Sequence, residues 1–292
     1  MREYLINFFH TFEYEDADSE YLLSTYDKIA GNDDIIAVWN EAINIYERDT
    51  NCDFKLIILL AREVAQRLAI HTYTAELLIF ICLSKHLREL YVERSIDLGI
   101  FHNSMLDLRY KLDECKLVKG VIGSFVAVWF CRFFNLERVG LGRLQFEVDS
   151  FGRQVDYDGY NFTPESKVIN VHIPRTSTHL TPESCDKAFA MAKEYFKDQI
   201  GDKCAFVCHS WMLYPENDYI LPKDTNVSRF MSRFTIIHSS KDPDLSDLWR
   251  VFDTDEKNPH LLPTDTRMRR AYVEHLQKGG SLGRGYGIYV YE

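Results

Sequence analysis

The chain has 292 residues, 46% of them hydrophobic and 14% aromatic, which is enough to bury a core in one large or two medium domains. Its formal net charge of −10 argues against a non-specific nucleic-acid binder and against a protein that adsorbs to anionic membranes. The seven cysteines are scattered and include no CxxC pair or zinc-ligand spacing, which predicts thiols in a reducing compartment and no bound metal.

Neither a signal peptide nor a membrane span is expected. The first 20 residues turn acidic and lack a small-residue cleavage site. The longest apolar stretch, residues 121–134, is interrupted by polar residues and falls short of the roughly 20 apolar residues that a spanning helix needs. The sequence therefore predicts a cytoplasmic protein.

Residues 1–135 show the spacing of apolar positions that is typical of amphipathic helices. The predicted helices begin after a cap at Asn32, at Asn51 or Asp53, at Thr72 or Thr74, and at Ile100. Gly99 is expected to end the third of these helices. The aromatic segment from Phe125 to Phe134 fits either a buried helix or a first strand, because so short an apolar run has no decisive period.

The pattern changes after Asn135. Leu144, Phe146 and Val148 alternate with polar residues, as in a half-buried strand. We therefore expect a helical domain over residues 1–135 and a second domain over residues 136–292. Its strands are predicted near 143–149, 153–160, 168–173, 204–211, 234–238 and 286–291, and its helices near 181–199, 224–231, 244–252 and 265–277. Residues 150–153 are expected to form the turn of a hairpin that joins the first two strands.

One stretch is predicted to run through a strand, a loop, a helix and a second strand. The apolar strand 168–173 precedes the loop Pro174–Leu180, and a helix follows that Thr181 caps and Pro182 opens. This order puts a helix N-terminus at the carboxyl end of a strand, where backbone N–H groups and the helix dipole bind phosphates. The loop, with Arg175 and its hydroxyl side chains, is a candidate pyrophosphate cradle. The alternative is an ordinary capped helix after a surface loop.

Polar residues share one face of several predicted strands. The clearest faces carry Asn170 and His172 on one strand, and Arg143, Gln145 and Glu147 on another. A strand covered by helices on both sides is apolar on both faces, so these faces indicate either solvent or a polar crevice. In a crevice, His172, His209 and Glu147 are candidates for a general base. The alternative for each histidine is a hydrogen-bonded structural role.

Two further motifs carry a weaker signal. Residues 208–210 read Cys-His-Ser, but neighbouring residues on a strand point to opposite faces and cannot form a nucleophile–base pair by themselves. A hydrolase that uses Cys208 or Ser210 is therefore a distant alternative. The glycine-rich segment 279–287 follows a predicted helix, whereas nucleotide-binding loops run from strand to helix. It is expected to be a helix C-cap and a flexible entry into the last strand.

Five segments together resemble one family. They read LGRLQFE (141–147), VINVHIP (168–174), LTPESCDKAFAMAKEYF (180–196), AFVCHSWMLYP (205–215) and GYGIYV (285–290). With the helical first half, they make the chain similar to bacterial acyltransferase-domain proteins, which join a helical N-acyltransferase N-terminal domain to a GNAT-like C-terminal domain. The resemblance spans nearly the whole chain. It implies an α+β fold, with an all-helical domain followed by a GNAT-like mixed α/β sheet domain.

The resemblance also implies an activity, the transfer of an acyl group from acyl-CoA or acetyl-CoA to an amine without a metal. The acceptor would be a small-molecule amine or a peptide. The cosubstrate is expected between the strand ending at Ile173 and the helix starting at Thr181. The residues expected around its pyrophosphate are Arg175, Thr176, Ser177 and Thr178.

The resemblance assigns roles in the reaction as well. Glu147, His172 or His209 would accept the proton that the attacking amine loses. Backbone N–H groups beyond Ile173 would bind the pyrophosphate. Tyr214 or Tyr219 would reprotonate the leaving thiolate, as tyrosines do in many GNAT enzymes.

One departure from the family pattern supports a rival function. GNAT enzymes usually carry glycines in the loop before the pyrophosphate-binding helix, whereas residues 174–180 contain none. Glycine allows a close approach of backbone to ligand. The rival is a non-catalytic GNAT-like module that binds a small polar ligand or a protein partner.

Overall fold

A computed structural model describes residues 1–200 and 204–291 of the chain. The chain divides into two compact units, Met1–Gly140 and Leu141–Glu292. The domain division expected at residues 135 and 136 stays a prediction that limited proteolysis can test. Across the described residues, no helix is both long enough and apolar enough to cross a membrane.

The first unit is built of helices, as the apolar spacing predicts. They are α1 (Arg2–Thr11), α2 (Asp16–Ala30), α3 (Asp33–Arg48), α4 (Phe54–Leu68), α5 (Thr72–Glu93), α6 (Leu98–Lys119) and α7 (Cys131–Phe134), with a 3-10 helix at Ala127–Phe130 directly before α7. The segment that fitted a helix or a strand is therefore helical. A short strand, β1 (Arg138–Leu141), ends at the division between the units.

Local capping explains where these helices begin. The Asn32 side chain accepts hydrogen bonds from the backbone of Asp34 and Ile35, and Asp53 accepts one from Lys55. α5 begins at Thr72, one of the two threonines expected to start it, and its cap is His71, whose ring accepts the bond from Tyr73 N. The role expected for Gly99 is wrong. Asp97 caps α6, so that Gly99 lies within its first turn.

The core of the first unit forms around α5, whose residues Thr74 to Ser84 are all buried. Aromatic rings pack around it, with the Phe80 centroid 5.0 Å from that of Phe134. The Tyr46 hydroxyl donates to the Phe134 carbonyl at 2.8 Å, which fixes the end of α7. A helix buried on all sides is hydrophobic all round, and this explains the long apolar run of its sequence.

The main sheet is mixed and six-stranded in the described residues, and its strands other than β1 lie in the second unit. Its further strands are β2 (Leu144–Ser150), β5 (Lys167–His172), β6 (Ala205–Ser210), β7 (Thr235–Asp242) and β8 (Leu282–Val290), in the order β1-β2-β5-β6-β8-β7. A separate two-stranded sheet joins β3 (Val155–Tyr157) and β4 (Tyr160–Phe162). The helices of the second unit are α8 (Pro182–Ile200), α9 (Asn217–Ile220), α10 (Asn226–Met231), α11 (Leu248–Phe252) and α12 (Arg267–Gln277).

The hairpin expected after β2 is wrong in its pairing. β2 pairs antiparallel with β5, and no strand runs through residues 153–160 as expected. Phe151 is 2% exposed, and its ring centroid lies 5.1 Å from that of Phe162. Phe151 is therefore a core residue after the end of β2, and residues 155–162 form the separate β3–β4 hairpin.

The glycines of the last strand lie inside the sheet, which corrects the expected flexible entry at residues 279–287. β8 starts at Leu282 and pairs with β6 on one side and β7 on the other. A Cβ atom on Gly285 would overlap the Leu213 carbonyl, and one on Gly287 would come within 2.8 Å of the Phe234 side chain. These glycines let neighbouring chain pack directly against the strand.

The two faces of the sheet differ in polarity. One face is apolar and packs against α8, with the Phe189 ring centroid 6.0 Å from Phe146 and 4.7 Å from Phe206. The opposite face is apolar only at one end, where Phe151 and Phe162 pack with Val168 and Ile288 beside the β3–β4 hairpin. Towards the carboxyl ends of β5 and β6 this second face becomes polar, and the candidate site lies there.

Candidate active site

The sheet opens between β5 and β6. Parallel pairing joins Ile169 to Phe206 and Asn170 to Val207. β5 remains paired with β2 through His172, and β6 remains paired with β8 through Ser210. In the described part of the chain, β5 and β6 thus separate towards their carboxyl ends. The separation leaves backbone groups outside the ladder at the edge where ligands of α/β sheets bind.

Glu147 and His172 meet on the polar face beside this opening. Glu147 Oε1 lies 2.8 Å from His172 Nε2, and Asn170 Nδ2 lies 3.4 Å from the same oxygen. The Glu147 side chain is 2% exposed and that of His172 is 18% exposed. A buried carboxylate next to a partly exposed imidazole can fix the ring's orientation and support proton uptake by it.

His209 shares this face with His172. Val207 pairs with Asn170, and residues two apart on a strand point the same way, so His209 lies on the His172 side of the sheet. The ring is exposed, but protein on one side of it, together with the positive charge of Arg284, lowers the pKa of His209 below its ordinary value of 6.5. His209 is therefore neutral at neutral pH, the state that a base needs.

The loop after β5 is held by Arg143. Its Nε donates to the Thr178 carbonyl at 3.2 Å and its Nη1 to the Pro174 carbonyl at 2.9 Å. Arg143 follows Gly142 in the turn between β1 and β2, and so lies outside the strand in which the alternation put it. Within the loop, the Thr176 hydroxyl accepts from the Thr178 backbone N–H at 3.2 Å. Ser177 is exposed.

The start of α8 is capped by the protein's own side chains. The Ser184 backbone N–H donates to the Thr181 hydroxyl at 3.2 Å, which is the cap expected of Thr181. Hydrogen bonds from its own backbone N–H and from the Thr181 hydroxyl lower the pKa of the Glu183 carboxyl. The Glu183 side chain is exposed, so a phosphate at this helix N-terminus would compete with its carboxylate for the same backbone N–H groups.

Arg175 forms an ion pair with a residue far away in sequence. Its Nη2 donates to Oδ2 of Asp253 at 2.9 Å, and Asp253 also binds the Arg269 guanidinium. Asp253 ends α11 in the left-handed conformation, with φ 59°. The Arg175 side chain remains 42% exposed. Asp253 thus joins Arg175 of the loop to Arg269 of α12, and of the two guanidinium groups that of Arg175 is the more exposed.

Tyr214 lies apart from Glu147 and His172. It is 4% exposed, and its ring packs against Gly283 of β8, two strands away from β5. Burial and a hydrogen bond with Glu216 raise the pKa of the Tyr214 phenol, which keeps it protonated. Tyr219, the other tyrosine considered, is 91% exposed on α9. Of the two, Tyr214 is the one held in a fixed position.

The Cys208 thiol offers no support for a hydrolase. It is fully buried on the α8 face of the sheet, and burial raises its pKa far above the ordinary value. A thiol in that state is a poor nucleophile. Across the described residues, no group of histidine, cysteine, aspartate and glutamate side chains is arranged to hold a metal ion.

Sequence reasoning missed the loop-holding role of Arg143 and the part played by Asp253. Each acts across a long stretch of chain, 31 residues from Arg143 to Pro174 and 78 from Arg175 to Asp253. Arg143 is part of the LGRLQFE segment, but no local pattern indicates the two carbonyls that it binds. No motif or spacing around Asp253 indicates its contact with Arg175.

Two family models match the chain. One, described as an N-acyltransferase N-terminal domain, matches residues 3–136, and the other, described as a GNAT-like C-terminal domain, matches residues 139–289. Together they cover nearly all of the sequence. No curated protein matches the sequence.

Solved structures of acyltransferases share the fold. The chain is similar to an acyltransferase in complex with decanoyl-CoA (TM-score 0.77), to an acyltransferase mutant in complex with octanoyl-CoA (TM-score 0.76), and to an acyltransferase in complex with decanoyl-CoA and teicoplanin (TM-score 0.75). Each is 18% identical in sequence, and each alignment covers 99% of this chain and 88% of the other. At this identity the likeness shows a common fold.

Proposed function

The chain belongs to the family that joins an N-acyltransferase N-terminal domain to a GNAT-like C-terminal domain, and from this premise we propose that it transfers an acyl group from a CoA thioester to an amine. The observation that carries the proposal is the contact of His172 with Glu147, at 2.8 Å, beside the opening between β5 and β6. The proposed base thus lies next to the place proposed for the cosubstrate.

Acyl-CoA would bind across the opening. Backbone groups released by the separation of β5 and β6 would meet the pantetheine, and the loop 174–181 would meet the pyrophosphate, with Arg175 and the loop hydroxyls around it. The proposed site around the cosubstrate also includes Ile173, Thr176, Ser177, Thr178 and Thr181. Solved structures with the same fold contain decanoyl-CoA and octanoyl-CoA, which supports an acyl-CoA in this position.

The reaction needs a base and an acid. The amine nitrogen attacks the thioester carbonyl carbon, and the amine proton passes to His172, supported by Glu147, or to His209, directly or through a water. The carbon–sulfur bond then breaks, and the thiolate of CoA takes a proton from Tyr214. The lowered pKa of His209 keeps its ring neutral, which supports His209 as a candidate for the base.

The acceptor belongs to the class of small-molecule amines or peptides. An acyltransferase with the same fold is solved in complex with decanoyl-CoA and teicoplanin, which supports a small-molecule acceptor. Seven cysteines without a disulfide in the described residues support the proposed cytoplasmic location, because reducing compartments keep thiols reduced.

Two measurements test the proposal. Thermal shifts are recorded with acetyl-, octanoyl- and decanoyl-CoA and with buffer alone, because a ligand at about 100 times its Kd adds about 2.7 kcal/mol of stability. Release of the CoA thiol is then followed with a panel of amines. We expect at least one acyl-CoA to raise the melting temperature and at least one amine to accelerate thiol release. Failure of every CoA species to bind at millimolar concentration removes the enzyme proposal.

The rival binding module has one observation in its favour. The α8 N-terminus is already occupied by Thr181 and Glu183, and the loop 174–180 contains no glycine. These features reduce the space for pyrophosphate. The module predicts no thermal shift with any CoA species, so the same titration separates the two functions.

A further inference from the structure

We propose that the amine acceptor carries a carboxylate, and that Arg153 binds it at the polar face of the sheet. This inference rests on the proposed transferase activity and narrows the acceptor to an amine with an anionic group. The basis is the Arg153 guanidinium, which lies near the candidate base His209 and has no carboxylate partner among the described residues.

The Arg153 guanidinium is held in place by an aromatic ring. Its central carbon lies 5.1 Å from the centroid of the Tyr286 ring, within the range of a cation–π contact. Tyr286 is the β8 partner of His209 in the sheet register, and the two ring centroids are 6.2 Å apart. Arg153, Tyr286 and His209 therefore form a continuous row on one face.

Charges of both signs surround this row, because Asp149 acts on Tyr286 and Asp247 acts on His209. Within residues 1–200 and 204–291, no carboxylate oxygen lies within 4.0 Å of the Arg153 guanidinium, and Arg153 is exposed. The next arginine on this face, Arg284, is different because it binds Asp247. The positive charges of both arginines reach His209, where they contribute to its lowered pKa. The row thus presents the exposed guanidinium of Arg153 to a ligand.

The geometry suits one small acceptor. A single ring separates Arg153 from His209, and His172 lies on the same face across the opening. The separations of 5.1 Å from Arg153 to Tyr286 and 6.2 Å from Tyr286 to His209 set the reach of an acceptor whose carboxylate binds Arg153 while its amine approaches His209. A guanidinium matches a carboxylate with two parallel hydrogen bonds, so it fixes orientation as well as position.

The test compares amino acids with their amides as acceptors. Release of CoA from the acyl-CoA that gives the largest thermal shift is measured with a panel of amino acids and the amide of each, for the wild type and Arg153→Gln. The readout is the ratio of wild-type to variant kcat/KM for each acceptor, because the fraction of unprotonated amine cancels in that ratio. We expect a fall of about tenfold for carboxylate acceptors, carried by KM, and less than about twofold for amides.

Controls separate this inference from the proposed function. Arg48→Gln removes an exposed arginine of the other unit, with 69% of the side chain exposed, and should leave every ratio near one. The KM for acyl-CoA should stay constant in Arg153→Gln, and Arg153→Lys should recover part of the lost kcat/KM.

Three results are decisive against the inference. Equal ratios of wild-type to variant kcat/KM for the acids and their amides contradict the inference but leave the proposed transferase activity unchanged. Turnover of neutral amines alone has the same meaning. Binding of acyl-CoA without CoA release by any amino acid in the panel also overturns it. By contrast, failure of all CoA species to bind contradicts the proposed function itself, and the inference falls with it.

Discussion

Oε1 of Glu147 and Nε2 of His172 lie 2.8 Å apart although the two residues are not direct partners in the sheet. Glu147 pairs with Asn170, and His172 pairs with Gln145, so the contact is diagonal across the antiparallel strands β2 and β5. Diagonal neighbours on one face are within reach of long side chains. The register of these two strands therefore creates the candidate base.

Replacement of His172 by glutamine should reduce turnover about 10²–10⁴-fold, the usual contribution of a general base. The melting temperature should stay near that of the wild type, because glutamine retains a hydrogen-bonding group next to Glu147. Thiol-release kinetics and thermal unfolding measure the two effects. A large fall in melting temperature with unchanged turnover per folded molecule would make His172 a structural residue and would pass the base role to Glu147 or His209.

Charge reversal at Arg175 should weaken acyl-CoA binding, because it removes a guanidinium from the loop and adds a second carboxylate next to Asp253. We expect KM for acyl-CoA to rise in Arg175→Glu and to rise less in Arg175→Gln, with the KM for the amine nearly constant. Lys187→Gln, an exposed change on α8, is the matched control. An unchanged Kd for acyl-CoA in both Arg175 variants would exclude this residue from the cosubstrate site.

Loss of the Arg143 side chain should loosen the loop that it holds. Arg143→Gln removes two charge-assisted bonds, to the carbonyls of Pro174 and Thr178, and bonds of this type contribute about 1.5–3 kcal/mol each when well shielded. We expect faster hydrogen exchange in residues 174–181 and a higher KM for acyl-CoA. If exchange in the loop is unaltered while KM rises, Arg143 contacts the cosubstrate instead of positioning the loop.

Alanine at Gly285 should destabilise the second unit. The added methyl group overlaps the Leu213 carbonyl, and overpacking of a close contact typically costs about 1–3 kcal/mol or more. Gly99→Ala in the first turn of α6 provides a control in the other unit, where the added methyl group would lie 3.3 Å from the exposed capping carboxylate of Asp97 and should change the free energy of unfolding by less than about 1 kcal/mol. Urea denaturation of both variants gives the free energies of unfolding, and a neutral Gly285→Ala would contradict the packing described for β8.

The lowered pKa of His209 should make stability depend on pH. Between the lowered pKa of the folded protein and the ordinary value of 6.5, His209 is more protonated in the unfolded chain than in the folded protein. The free energy of unfolding therefore falls as pH drops through that window. His209→Gln should reduce this slope. Urea titrations at pH 7.5 and at successive steps below pH 6.5 measure it, with His10→Gln as an exposed-histidine control. A slope that is identical in His209→Gln and the wild type would show that His209 titrates as in the unfolded chain.

Locally determined features were predictable from the sequence, and α8 shows why. Thr181 and Pro182 carry the capping signal within one turn, and the observed helix, Pro182–Ile200, begins one residue after the predicted cap. The shared face of Asn170 and His172 was likewise predictable, since alternation along one strand defines it. The distance from His172 to Glu147 was not, because it depends on which strand pairs with which and in what register.

Features that depend on distant packing were not predictable. The turn at residues 150–153 had ordinary hairpin residues, but Phe151 is buried against Phe162, and no local pattern shows which aromatic ring will fill a core. The glycines of β8 had the composition of a flexible loop. Their role follows from the carbonyl and side chains that pack against them, which lie tens of residues earlier in the chain.

The strand order of the main sheet has a consequence for how the protein is made. β8 is the last strand in the sequence, yet it lies between β6 and β7, and the edge strand β7 has its ladder with β8. Ribosomes add about 5–20 residues per second, so during synthesis β6 and β7 wait with unpaired edges until residues 282–290 emerge. Unpaired edges recruit other chains. The nascent second unit is therefore most prone to aggregate in the interval before its final strand closes the ladder, and the all-helical first unit can fold well before that interval begins.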